Sequence, residues 1–197
     1  MSTNRILLLA GLLAAVLATG CAHPISVTTD ISQVRSSGQP RIEKSVAYVI
    51  APEDRDREVI TPGGGGDKLS YKPYRDLDAG IFKALSEVFA NVSRVDAAAE
   101  AAKPGRDKFQ LVFVPRITTT SSSASPFTWP PTAFAIDLTC KVSDPSGTPV
   151  SEINVVGNGQ AEFSEFKSDH SLAAKRAAQD AMQKLVKALE ETPALRR

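Results

Sequence analysis

The chain has few of the side chains that most often carry chemistry. Its 197 residues include only two cysteines, two histidines and one tryptophan. The fold must therefore be stable largely without disulfides, and two isolated histidines are weak evidence for a catalytic or metal site. We predict no catalytic residues, no metal site and no cofactor.

The chain also lacks an excess of either charge. Lysine and arginine total 23 and aspartate and glutamate total 22, which leaves a formal net charge of +1. A protein whose main partner is nucleic acid or an anionic lipid surface needs a basic excess. The balanced composition argues against both classes, and we predict no nucleic-acid partner.

One long hydrophobic run is present, but it is too short to cross a membrane. Residues 6–17 are apolar and follow a polar start whose only charge is Arg5. A transmembrane helix needs about 20 apolar residues. The small residues Thr19 and Gly20 close the run, as in a secretory leader. We predict that residues 1–20 are a signal peptide that is removed.

The leader ends in Leu17-Ala18-Thr19-Gly20-Cys21. This stretch resembles the bacterial lipobox, in which an aliphatic residue and small residues precede a cysteine. The resemblance implies a lipoprotein whose Cys21 carries a diacylglycerol thioether and, after cleavage, a fatty acyl group such as palmitate on its amine. An ordinary signal peptide with a chance cysteine is the alternative.

The residue after the cysteine bears on location. In Gram-negative lipoproteins an aspartate at this position favours retention in the inner membrane, whereas this chain has Ala22. The resemblance therefore implies an anchor in the outer membrane, on its periplasmic side.

Composition divides the rest of the chain into three parts. Residues 21–44 carry Ser, Thr, Gln and Pro without sustained periodicity, which predicts a flexible tether reaching roughly 25 Å. Residues 45–191 predict a single periplasmic domain, and residues 192–197 a tail. The tether would lift the domain off the membrane.

Hydrophobic periodicity predicts the elements of that domain. Apolar residues spaced by three and four predict a helix over 74–91 and an alanine-rich helix over 168–191. Extended patterns predict strands over 45–51, 109–117, 134–142 and 153–163. On the last strand the small Gly157, Gly159 and Ala161 share one face, so a helix can approach closely. The result is an α+β two-layer sandwich with a mixed, mostly antiparallel sheet and two long helices on one face.

This order of elements, with its strand–turn–strand–helix ending at Asp144-Pro145-Ser146-Gly147, resembles three kinds of periplasmic domain. They are the N-terminal domain of TolB, the lipoprotein LpoB that activates a penicillin-binding protein, and the curli-secretion lipoproteins. The resemblance implies a binding or assembly role in the cell envelope.

Two loops are candidates for partner contact. A glycine run, Gly63, Gly64, Gly65 and Gly66, separates two short extended segments and predicts a β-flap or a plain turn. A phosphate loop is disfavoured because no Gly-Lys-Ser/Thr follows. Residues 118–132 are too polar and then too proline-rich for a sheet interior, which predicts a loop carrying Phe127 and Trp129. Aromatic residues in such a loop are good contact anchors.

The remaining candidates for catalysis are weak. Strict alternation places Cys140 among the core residues of its strand, where a thiol is protonated and inert. Ser168, Asp169 and His170 have the residue types of a hydrolase triad, but adjacency in sequence does not give triad geometry. Helix capping is the favoured interpretation, and an envelope hydrolase around His170 is a minor hypothesis.

The leading hypothesis is a non-enzymatic envelope lipoprotein, anchored in the membrane, that acts as an accessory to an envelope protein partner. The alternative is a periplasmic carrier of a small molecule or lipid, with a pocket between the sheet and the first helix. The oligomeric state is not predicted.

Overall fold

A computed structural model describes residues 22–64, 67–103, 109–123 and 132–197 of the chain. Eight strands lie in this part: β1 Ala22–Pro24, β2 Ile42–Val49, β3 Val59–Gly64, β4 Asp67–Tyr71, β5 Phe89–Val95, β6 Leu111–Ser122, β7 Ala133–Ser143 and β8 Pro149–Gln160. The α-helices are α1 Pro52–Asp56, α2 Pro73–Val88, α3 Ala98–Ala101, α4 Phe163–Ser168 and α5 Leu172–Glu190.

The main sheet has five strands in the order β5-β2-β6-β7-β8. β2 is parallel to both β5 and β6, whereas the long β6–β7 and β7–β8 ladders are antiparallel. Helices α2 and α5 cover one face, and their apolar residues form a single core with that face. The predicted α+β sandwich with two long helices on one face is confirmed.

The opposite face of the sheet is only partly covered. At the β5–β2–β6 side, Ala101 of α3 packs with Ala47, Val95 and Val112 in a second small cluster. Along β6, β7 and β8 the outward positions are mostly exposed and polar, as expected for an antiparallel sheet with one solvated face. We call this surface the open sheet face; it comprises residues 114, 116, 118, 120 and 122 of β6, alternate residues 133–143 of β7 and alternate residues 152–160 of β8.

Close packing of α5 on β8 depends on the glycines that the sequence pattern singled out. A Cβ added at Gly157 would lie 2.3 Å from the carbonyl oxygen of Ala177. The interior positions of β7 and β8 also follow the predicted alternation. The helix backbone therefore rests directly on the strand, and the close approach is confirmed.

Two predicted boundaries are wrong. The loop expected over 118–132 begins later, because β6 continues to Ser122 and pairs with β7 along its whole length. Threonine suits a strand, and the hydroxyl side chains alternate between the open sheet face and contacts with a second sheet. The helix predicted over 168–191 also starts later, at Leu172, and the short helix α4 that precedes it ends at Ser168.

That second sheet has three strands in the order β1-β4-β3. β1 is parallel to β4, and β3 and β4 form an antiparallel hairpin. The hairpin lies against the end of β6, where Thr61 Oγ1 is 2.9 Å from Ser121 Oγ and Tyr71 Oη is 2.6 Å from Thr119 Oγ1. The predicted β-flap is thus a packed hairpin.

The prediction of a flexible tether over 21–44 is wrong for the described residues. After β1, residues 25–41 run along the two long helices, and we call this segment the N-terminal strap. Val27 and Val34 are fully buried, and Ile25 is nearly so. The predicted tail over 192–197 is wrong as well, because Leu195 is fully buried. Neither segment has a helical or strand periodicity, so the apolar residues in them gave no signal.

Side chains of the helices hold the strap by its backbone. Near its start, the amide of Val27 donates to Asp76 Oδ2 of α2 at 2.9 Å, and the amide of Ser26 donates to Ser171 Oγ at 3.0 Å. Near its end, the amides of Ser36 and Ser37 donate to Glu87 of α2 and Glu190 of α5, both at 2.9 Å. The strap therefore runs from the beginning of both helices to their ends.

Candidate functional site

Several of the candidate site residues predicted from the sequence lie at, or next to, one end of the domain. Ala22, the first described residue, pairs with Lys68 in β4, close to the tip of the β3–β4 hairpin. The hairpin lies against the end of β6, next to Ser122, the last residue of that strand. Helix α4 follows the end of β8 on the same side, since Gln160 pairs with Ala133, the first residue of β7. We call this region the Ala22 end; it comprises β1, the β3–β4 hairpin, Ser121–Ser122, Ala133 and α4.

The predicted lipidation residue, Cys21, lies outside the described residues, but its position in the chain is informative. The residue that follows it, Ala22, already belongs to β1. Consecutive Cα atoms are about 3.8 Å apart across a trans peptide. Any group bound to Cys21 is therefore attached directly to the Ala22 end.

The two loops predicted as partner contacts also join this end. Gly63 and Gly64 are the last residues of β3, and Gly65 and Gly66 lie outside the described residues. Phe127 and Trp129 lie outside them too. The segment that carries both aromatics connects Ser123 with Thr132, and Thr132 accepts a hydrogen bond from the amide of Ala161 at 2.8 Å. The described flanks of both loops thus meet at the Ala22 end.

The fold brings together the two histidines of the chain, a contact that no pattern in the sequence predicts. The ring of His23 in β1 lies 6.2 Å from the ring of His170, measured between centroids, in an edge-to-face arrangement. His170 also packs on Phe166 of α4 at 4.9 Å. The contact arises because residue 23 belongs to the folded domain and not to a flexible tether. The cluster ties β1 to α4.

The residues beside His170 serve structural contacts. Asp169 accepts a hydrogen bond from the amide of Ser171 at 2.9 Å and from Lys175 Nζ at 2.8 Å. The hydrogen bond from Lys175 is the main cause that lowers the pKa of Asp169. Ser171 Oγ in turn accepts from the strap at Ser26. The prediction that Ser168 or Asp169 caps the last helix is wrong, because the residue before α5 is Ser171, and its side chain makes no capping hydrogen bond.

Helix α4 presents an apolar side chain to the outside. Phe163 is 57% exposed, and Lys167 Nζ lies over its ring at 5.0 Å from the centroid. Two hydrogen bonds from Arg176 to Glu165, at 2.8 and 2.9 Å, fasten α4 to α5. They lower the pKa of Glu165 to about 2. The helix is thus fixed to the body while Phe163 remains accessible.

Cys140 lies away from the Ala22 end, on the core face of β7. Its side chain is 2% exposed, and burial raises the pKa of its thiol to about 12. A thiol in this environment stays protonated at neutral pH and is a poor nucleophile. The predicted core position of Cys140 is confirmed.

A cluster of hydrogen-bonded and ion-paired side chains lies at the carboxyl ends of β2 and β5. Asp78 of α2 accepts a hydrogen bond from Tyr48 Oη at 2.7 Å and forms ion pairs with Arg94 at 3.0 Å and Arg55 at 3.3 Å. Burial, and then the hydrogen bond to Asp78, raises the pKa of Tyr48 above its usual range. These contacts join α1, α2, β2 and β5, so the cluster serves the fold.

Comparisons with known proteins leave the function open. No family model and no curated protein matches the chain. Among solved structures it is similar to a Xanthomonas campestris protein of family DUF330, with 12% identity over 86% of this chain and 93% of that one, at a TM-score of 0.49. It is also similar to a lipoprotein candidate from Caulobacter crescentus CB15, with 12% identity over 74% and 92% of the two chains, at a TM-score of 0.35. Both likenesses are too distant to transfer a function.

Proposed function

We propose that this protein is a lipoprotein of the bacterial cell envelope, anchored by an acylated Cys21 on the periplasmic side of the outer membrane. The observation that carries the proposal is the stretch Leu17-Ala18-Thr19-Gly20-Cys21, which resembles a lipobox. The fold is compatible with it, because cleavage before Cys21 would leave every described strand and helix intact. In the described part of the chain, no helix is both long and apolar enough to cross a membrane.

The role that we propose for the domain is non-enzymatic binding of an envelope protein partner. The flanks of the Gly63–Gly66 turn and of the loop with Phe127 and Trp129 meet at one end, which supports a composite contact surface there. The groups that suggested catalysis have other roles, since Cys140 is buried in the core and Asp169 binds Ser171 and Lys175.

The packing gives less support to a carrier of small molecules or lipids. The pocket expected between the sheet and α2 is filled by apolar side chains that are almost fully buried, among them Leu77, Ile81, Leu85, Phe89 and Phe113. The grooves described here are open depressions at the surface, such as one of about 470 Å³ near Lys44, Gln110 and Asp144. Ligand sites are usually enclosed and largely apolar.

The anchor is tested by metabolic labelling with a fatty acid in a Gram-negative host. The full chain and a Cys140→Ala control should incorporate the label and sediment with the outer membrane, whereas Cys21→Ser should do neither. The mass of the N-terminal peptide then gives the number of acyl chains. Label that remains in Cys21→Ser would contradict the proposal.

The partner role is tested by photo-crosslinking in living cells. A crosslinking amino acid in place of Trp129 or Gly64 should capture an envelope protein, and the same residue in place of Lys187, an exposed position on α5, should not. If neither 129 nor 64 yields a protein adduct, the partner role loses its support while the anchor is unaffected.

A further inference from the structure

We propose that the outer face of the three-stranded sheet, together with Phe163, rests on the phospholipid surface of the membrane that holds Cys21. This inference rests on the proposed function, because the anchor delivers the surface to the lipid. It adds a second membrane contact, made by the folded domain itself.

No flexible tether separates Cys21 from the described part of the domain. A flexible tether would hold the domain roughly 25 Å from the lipid, but the residue after Cys21 is already in β1. The strap that follows is fixed to both long helices by backbone hydrogen bonds. A lipid group on Cys21 therefore places β1 and its neighbours at the interface.

The side chains of the three-stranded sheet alternate between the body of the domain and an outer face. Successive residues of a strand point to opposite faces. Thr61 faces the body of the domain, where it contacts Ser121, so Ile60 points outward. Ile60 pairs with Ser70, which is buried, and Ser70 pairs with Pro24, so Ile60 and Pro24 are the exposed members of this row. Lys68 and its partner Ala22 share this outer face by the same alternation, which places it next to Cys21.

Two large apolar side chains in this region are exposed. Ile60 and Phe163 are each 57% exposed, more than any other large hydrophobic residue in the described part of the chain. Both belong to the Ala22 end. Phe163 belongs to the helix next to β1, because Phe166 of that helix packs on His170, and His170 contacts His23 on the body-facing side of β1. Exposed apolar side chains grouped around an anchor point suit the boundary between headgroups and acyl chains.

Two lysines lie beside the apolar side chains of this surface. Lys167 lies over the ring of Phe163, and Lys68 is exposed on the outer face of the small sheet. A lysine can lay its aliphatic stem along apolar surface and place its ammonium among phosphates. The chain as a whole is nearly neutral, so the contact depends on apolar burial and the anchor, with lysines reaching headgroup phosphates locally.

The test measures the depth of single fluorescent labels. Cysteines are introduced as Ile60→Cys and Phe163→Cys, with Phe82→Cys and Val156→Cys as exposed controls on other surfaces. Cys140 is buried, and unsubstituted chain gives its background. The acylated full-length proteins are reconstituted in vesicles of phosphatidylethanolamine and phosphatidylglycerol, without other proteins. Circular dichroism checks that each variant is folded.

Nitroxide-bearing lipids should remove most of the emission at positions 60 and 163 and leave positions 82 and 156 bright. Iodide in the water phase should show the reverse order. If acylated protein is quenched by iodide alone at positions 60 and 163, the inference is overturned and the anchor stands; a protein partner then becomes the occupant to seek. If the N-terminal peptide carries no acyl group, the proposed function fails and this inference fails with it.

Discussion

Gly159 is the glycine at which an added side chain would come closest to another part of the backbone. A Cβ there would lie 2.0 Å from the carbonyl oxygen of Ala173 and 2.4 Å from the amide nitrogen of Ala177. Both atoms belong to the backbone of α5, so they cannot move aside as the end of a flexible side chain could. Helix and strand would have to separate over several residues to admit one methyl group.

We therefore expect Gly159→Ala to lower the free energy of unfolding by about 3 kcal/mol, the upper part of the range for overpacked cores. The control is the neighbouring Asn158→Ala, whose side chain is exposed on the other face of β8. It should change stability by no more than about 0.5 kcal/mol. Urea denaturation followed by circular dichroism measures both. Equal midpoints for the two variants would show that α5 is not held by this contact.

At this scale, the sequence pattern was sufficient to predict the faces of residues within regular strands. Gly157, Gly159 and Cys140 follow a period of two, so their faces could be assigned without coordinates. It failed for His23 and His170, which are 147 positions apart and meet only through the folding of the strap. No local pattern encodes such a distance.

The N-terminal strap is the element whose behaviour differs most from expectation. Nearly half of its residues are Ser, Thr and Gln, which is typical of a linker, and it has little regular secondary structure besides a short 3-10 turn at Ile31–Gln33. It is held instead by two means: a few buried apolar side chains and backbone amides that donate to carboxylates and amides of the helices. Irregular segments of this kind have no periodicity from which a prediction could start.

We expect Val27→Ala to destabilise the protein by about 2 kcal/mol, because it removes two buried carbon atoms and leaves a cavity under the strap. Val27 is fully buried, whereas its neighbour Thr28 is exposed. Thr28→Ala is therefore the matched control and should be nearly neutral. Native-state hydrogen exchange should show faster exchange at residues 25–37 in Val27→Ala. A stability equal to that of Thr28→Ala would mean that the strap is not part of the cooperative fold.

At the scale of the whole molecule, the edge of the main sheet at β8 is covered by side chains of α5. Lys184 Nζ donates to the carbonyl of Val156 at 2.8 Å, and Asp180 accepts from the amide of Asn158 at 2.9 Å. Arg176 donates to the carbonyl of Gln160 at 2.7 Å. The three helix residues are four positions apart, so one face of α5 occupies the backbone groups to which another strand could pair.

Removing this cover should promote self-association. We expect the double variant Asp180→Ala and Lys184→Ala to form dimers or larger species at concentrations where the original chain does not. The control is Lys187→Ala with Glu191→Ala, an exposed ion pair with the same spacing. Sedimentation velocity measures the difference. If both double variants sediment like the original protein, the edge is protected by other means.

The general architecture was predictable because it depends on long periodic segments. The patterns of β7, β8, α2 and α5 were enough to predict two helices over one face of a sheet. The Ala22 end was not predictable as a unit, because it joins residues from β1, the β3–β4 hairpin, the end of β6 and α4. The order of the strands and the path of the strap determine which segments meet there. No local sequence pattern predicts either of them.

If the chain is exported and acylated as we propose, the position of the strap has a consequence for the order of these events. The amide of Ser26 bonds to Ser171, and that of Ser37 bonds to Glu190, across sequence separations of 145 and 153 residues. In a chain that crosses the inner membrane with its amino terminus first, the groove between α2 and α5 is completed only when the last helix has arrived. Until then the strap has no place to bind, so Cys21 stays on unfolded chain, where a modifying enzyme can reach it. Final closure of the domain is then delayed until translocation is nearly complete.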